Sequence, residues 1–243
     1  MTFLVSHVEW WLFVVVFASA VLSVLQVASL LSFFGILVIF MEPAAIIPIA
    51  TIFFLAMNIT KMRMFRAAID WKLTRTLVLA SIPGVLIGSV LLAYLPSGHV
   101  RRAICALVIL FLLAELLKIK VLELKLKRGA LVGVGFGYGV LSGFLGSGSI
   151  VRTPFLLTLN LSKEAFIGTA AAASLFSNIV KLGTYWATGL VTAYVLVNGV
   201  LSIVVGVAGA VVGRLVVNRV SDELFLRVVK VSLLVSAVIG LIS

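Results

Sequence analysis

Two short polar patterns and one interrupted stretch hold the residues best suited to chemistry. Asn58 and Lys61 lie three apart, as do Asn178 and Lys181, a spacing that puts each pair on one face of a helix. Ser174 and Ser177 extend the second pair into a polar stripe. Amide and hydroxyl groups beside a cation suit an anion that has shed part of its water, because they donate hydrogen bonds without adding negative charge. The competing reading for the asparagines is interhelical hydrogen bonding, worth about 1 kcal/mol per contact. The lysines are expected near helix ends, in a structural role.

The interrupted stretch is Leu141 to Pro154, LSGFLGSGSIVRTP. Gly133, Gly135, Gly137 and Gly139 precede it along an apolar run. Glycine costs a helix about 1 kcal/mol against alanine and proline about 3, so the whole cluster is not expected to form one uninterrupted helix. Broken backbone inside a bilayer needs protein or a water-filled cavity to satisfy its polar groups. The permanent charge of Arg152 beside the break favours a cavity; the alternative is a kink whose arginine snorkels to the headgroups. Free amides at half-helix N-termini attract anions. Gly146, Gly148, Ser149, Arg152 and Thr169, with Ser174 and Asn178, therefore form a candidate anion site near mid-membrane.

The elements that position these residues are membrane helices. Of 243 residues, 63% are hydrophobic and 11% charged, where soluble domains run near half apolar and a quarter charged. The net charge of +11 sits in short loops between apolar spans, so the positive-inside rule accounts for it and no nucleic-acid partner is implied. One cysteine, Cys105, excludes an internal disulfide, and no Cys/His cluster suggests a metal or other cofactor. Ala18-Ser19-Ala20 resembles a cleavage site, but no basic n-region precedes it and the hydrophobicity continues, so a retained membrane segment is expected.

Segments long enough to cross, about 17 to 25 residues, or to enter as broken helices, run from Trp10 to Phe40, Pro43 to Asn58, Leu77 to Leu95 and Ala103 to Leu117. They continue from Ala130 to Leu159, Phe166 to Val180, Leu190 to Val217 and Leu224 to Ile242. Pro96-Ser97-Gly98 is a turn signal between the third and fourth. The expected fold is an all-α polytopic membrane protein of about eight segments in two related halves, 1–120 and 121–243. Asn58-Ile-Thr-Lys61 matches Asn178-Ile-Val-Lys181, and Pro83-Gly84 through Gly88 matches Ala208-Gly209 through Gly213, which supports a duplication. Basic clusters around Lys61 to Arg75 and Lys118 to Arg128 belong in the cytoplasm. If the broken segment enters and returns to the same side, Arg214, Arg219 and Arg227 join them, and the halves become inverted repeats with glycine-broken helices.

At the equivalent place in the first half, the glycines are replaced by Ser23, Gln26 and Ala28. Gln26 is a candidate site-facing group, with an interhelical hydrogen bond as the alternative. Glu42 precedes Pro43 at a helix start; a proton-coupling role is the less favoured reading. Asp70 reads as a solvated partner for Arg66 or Lys72, and Glu115 as a helix-end ion pair with Lys118. Gly84, Gly88, Gly206, Gly209 and Gly213 are spaced like close-packed helix faces.

With these residues in view, the chain resembles the TauE/SafE family of membrane permeases over nearly its whole length. The sharpest parts are Ser142-Gly143-x-x-Gly146-x-Gly148-Ser149 leading to Pro154, Gly168-Thr169-Ala170 through Asn178, and Phe65 to Leu95 with its Asp70-Trp71 pair. The resemblance implies two related halves and movement of sulfite, organosulfonates and other sulfur-containing anions, often outward. The second glycine run is shorter than the family's and the first-half run is missing. Those departures leave the substrate open and point to an asymmetric site.

The function expected is a secondary transporter of a small anion by alternating access in the cell membrane. No Gly-x-x-x-x-Gly-Lys-Ser/Thr is present, so energy must come from an ion gradient with a coupling proton or cation, from the membrane potential or from the substrate's own gradient. A homo-oligomer is compatible with the sequence. An intramembrane serine enzyme is disfavoured, because His7 and His99 lie outside the apolar spans. A passive anion channel, or a non-transporting assembly or structural protein, is the alternative class.

Overall fold

The computed structural model describes Val14, Val16 and residues 41–116, 130–159 and 161–217. The expected segments Trp10 to Phe40 and Leu224 to Ile242, the basic linker Lys118 to Arg128, and Gln26 lie outside the described residues, apart from Val14 and Val16. Among the described residues the secondary structure is entirely helical: α1 Pro43–Met64, a 3-10 turn Arg66–Ala68, α2 Trp71–Tyr94, α3 Ser97–Leu116, α4 Leu131–Leu145, α5 Ser149–Leu157, α6 Lys163–Ala187 and α7 Ala193–Val217. Pro43–Met64, Trp71–Tyr94 and Glu164–Ala187 are long and apolar enough to cross a membrane.

The helix boundaries follow from local chemistry. Asp70 is the N-cap of α2, its Oδ1 accepting from the Leu73 amide at 2.9 Å, which satisfies one of the amides a helix start leaves unpaired. Its role is this cap: among the described residues it makes no ion pair with Arg66 or Lys72. Ser162 caps α6 in the same way, accepting from the Ala165 amide at 3.2 Å. The α6 C-terminus closes on Gly189, φ 77°. There the Leu190 amide donates to the Tyr185 carbonyl and the Gly189 amide to Trp186, the paired bonds of a Schellman stop. Between α2 and α3 the expected turn holds, with the His99 amide donating to the Pro96 carbonyl at 2.9 Å. Glu42, exposed before α1, caps that helix through its carbonyl and accepts from Ser97 Oγ at 3.3 Å.

The chain forms two compact units. One takes Met1–Ile49, Pro96–Lys118 and Thr192–Ser243; the other takes Ala50–Leu95 and Ile119–Val191. In the second unit, α2 and α4 pack backbone to backbone. A Cβ on Gly84 or Gly88 would strike the backbone of Phe136 or Val140, and one on Gly139 or Gly143 that of Ser81 or Val85. The small-residue reading of Gly84 and Gly88 is thus realised, with α4 supplying the matching glycines. The cluster is not one uninterrupted helix, as expected, but the break is narrower than Leu141 to Pro154: Gly133 through Gly143 lie in α4, where close approach to α2 offsets the poor helix propensity of glycine. The break is confined to Gly146–Gly148.

Beyond the break the chain folds back along α4. Gly148 lies against the carbonyl of Tyr138, and Val151 is beside Gly137. Phe155 and Leu156 share a buried cluster with Val134 and Leu77. Rising numbers on α5 meet falling numbers on α4, so α4, the break and α5 make a helical hairpin.

Candidate functional site

The hairpin tip is built by a conformation that only glycine adopts readily. Gly146 ends α4 at φ 78°, in the left-handed region that costs other residues about 1–2 kcal/mol. Gly148 then passes so close to Tyr138 that a side chain there would collide with its carbonyl and ring. Ser147 Oγ lies 3.0 Å from Ser149 Oγ and accepts from the Ser149 amide at 3.3 Å, tying the tip together.

Arg152, in the first turn of α5, is only 7% exposed. Its Nη1 donates to Tyr138 Oη at 3.1 Å and to Ser174 Oγ. Its guanidinium carbon lies 4.8 Å from the centroid of the Tyr138 ring, within range of a cation–π attraction. Nε is buried and has no hydrogen-bond partner among the described residues. The arginine is therefore held on one side by α4 and α6, and its charge is not snorkelled away.

Helix α6 presents two contrasting faces. Ser174, Asn178, Lys181 and Tyr185 recur at helical spacing, and the last three are buried. Phe176, Ile179 and Trp186 are exposed. A soluble amphipathic helix shows the opposite arrangement; polar inside and apolar outside is what a bilayer selects. Lys181 is 2% exposed and donates from Nζ to the Gly146 carbonyl at 3.0 Å. Tyr185, fully buried, donates to the Gly143 carbonyl at 2.6 Å. Ser177 Oγ lies 3.4 Å from Ser81 Oγ and links α6 to α2. Asn178 is buried on the same face.

The charges are unbalanced. Arg152 and Lys181 are both buried at one hairpin, the first entering just after the break and the second donating to the Gly146 carbonyl at its tip. Among the described residues no carboxylate pairs with any of these cations. Uncompensated buried charge costs several kcal/mol per ion, so the cluster is built to meet a negative charge from elsewhere.

Of the residues singled out from the sequence, Arg152 and Ser174 are in direct contact. Gly146, Gly148 and Ser149 form the tip beside them. Asn178 shares the α6 face of Ser174, and Asn58 is half-buried one turn before Lys61 on α1. Thr169 is spoken for differently: its Oγ1 accepts from the Asp70 amide at 3.0 Å, anchoring the start of α2. Sequence reasoning missed Tyr138, one aromatic among alternating glycines, and left Lys61 and Lys181 to a structural role. The repeated Asn-x-x-Lys pattern was the signal that could have included the lysines.

The model of the sulfite exporter TauE/SafE family matches residues 11–240. The chain belongs to the TauE/SafE family. No curated protein and no solved structure matches the chain. As a TauE/SafE protein with helices able to cross a bilayer, it is a multi-pass membrane protein of a sulfite-exporter family. The glycine-broken hairpin and its arginine fall inside the matched region.

Proposed function

We propose that this TauE/SafE protein is a secondary transporter of small sulfur-containing anions, sulfite, organosulfonates or their relatives, in the cell membrane. The observation that carries the reading is Arg152, a buried guanidinium at a helix break that, among the described residues, has an unpartnered Nε–H and no carboxylate beside it, with buried Lys181 at the same hairpin tip. Arg152 binds the anion, with Ser174, Asn178 and Asn58 as hydrogen-bonding neighbours. The tip Gly146, Gly148 and Ser149 lets the backbone and the α5 N-terminus approach it. Gln26 and Thr169 complete the set that sequence reasoning offers.

The helical hairpin supports a segment that enters and returns to one membrane face. That topology makes the halves 1–120 and 121–243 inverted repeats, and alternating access follows as rocking of one against the other. Transport is driven by the anion's own gradient, the membrane potential or a coupled proton or cation. The test is uptake and efflux of labelled sulfite, sulfate and a small organosulfonate in proteoliposomes, with and without a pH gradient. Saturable flux of one of them supports the carrier. Unsaturable flux indicates a channel, and no flux for any anion overturns the reading.

A further inference from the structure

We propose that Lys181 selects the charge of the anion, so that the site prefers a doubly charged oxyanion to a singly charged one. This rests on the transport reading above and adds to it the charge class of the ligand.

The guanidinium of Arg152 is committed on one side only. Nη1 is taken by Tyr138 and Ser174; Nε has no partner, and Nη2 makes no hydrogen bond among the described residues. Nε and Nη2 form the guanidinium edge whose parallel N–H groups meet two oxygens on a single atom. A sulfite, sulfate or sulfonate head offers such a pair; a halide does not. That edge fixes the head group but leaves its charge open, because one negative charge would balance Arg152 alone.

The second charge is Lys181. It is as buried as the apolar core, and among the described residues its Nζ contacts only a neutral carbonyl, at the hairpin tip beside Arg152. It sits two turns beyond Ser174 on the same face of α6, and helical side chains lean toward the N-terminus, which brings its stem back toward the arginine. The described groups that meet at this centre are Tyr138 from α4, the Gly146 carbonyl, Arg152 from α5, and Ser174 and Lys181 from α6. None of them is acidic. Lys61, on α1, is only half-buried. Lys181 is buried throughout, and an anion carrying a second charge balances it together with Arg152.

Sulfate and methanesulfonate make the discriminating pair, since they share the three-oxygen face and carry fixed charges of two and one near neutral pH. Each is titrated as a competitor of labelled sulfite uptake into proteoliposomes holding the full chain. The wild type should favour sulfate about tenfold. Lys181→Met and Lys181→Gln, the latter able to keep a donor for the Gly146 carbonyl, should bring the ratio near unity, while Lys181→Arg should preserve it. Lys61→Met, at a half-buried position on α1, should change it less. Sulfite flux with no sulfate preference in the wild type, or a ratio unmoved in whichever Lys181 variant inserts and folds, overturns the charge inference alone. Absence of sulfite flux from the wild type overturns the transport reading and this inference together.

Discussion

Lys181 Nζ donates to the carbonyl of Gly146 at 3.0 Å, joining the buried polar face of α6 to the left-handed residue that ends α4. One contact therefore ties a cation that lacks an acidic partner to the turn that lets Arg152 re-enter the protein. Any movement of the hairpin tip must be felt by α6, and any ligand that draws Lys181 away releases the tip carbonyl.

Tyr138→Phe separates two supports of the arginine. The ring beneath the guanidinium is kept and the hydrogen bond to Oη is lost. Hydrogen bonds to charged groups contribute about 1.5–3 kcal/mol, so the KM for the transported anion should rise roughly tenfold or more. Flux kinetics in proteoliposomes check this; an unchanged KM would show that the hydroxyl does not orient Arg152.

Gly139→Ala should separate α2 from α4, because the new Cβ would meet the carbonyl and Cα of Ser81, which cannot swing aside. Overpacking of this kind costs about 1–3 kcal/mol, occasionally more. Gly133→Ala on the same helix has open space around it and should be neutral or stabilising by up to about 1 kcal/mol. Thermal unfolding in detergent reports both, and equal melting temperatures would contradict the packing account.

Asp70→Ala removes the cap of α2 and should lower stability by about 1 kcal/mol. Because Asp70 lies in the loop before that helix and makes no contact with the arginine, the anion KM should not change. A shift in KM without loss of stability would mean that the loop acts on the site directly.

Much of this was legible in the chain. Pro96-Ser97-Gly98, the Gly84–Gly88 spacing and the Gly146-x-Gly148 break each impose a backbone requirement that few other residues meet, so type alone revealed them. The extent of the break was not legible, because glycine weakens a helix and equally permits one to be approached closely; which of the two applies to Gly133–Gly143 depends on α2, a partner some fifty residues away in sequence. Lys181 was assigned to a helix end because the apolar pattern fades near Val180. The true stop is the Schellman turn at Gly189, which adds two turns and carries the lysine into the interior. Tyr138 gave no signal, since nothing in its spacing says that a residue fourteen positions later folds back onto it. Asp70 was misjudged in the same way, as its neighbours in sequence are basic but its partners in space are amides.

The central claim is that Arg152 holds the anion. Saturable flux of labelled sulfite in proteoliposomes should be lost in Arg152→Ala, with the variant still inserted and showing the helical circular dichroism of the wild type. Undiminished flux in that variant would contradict the account.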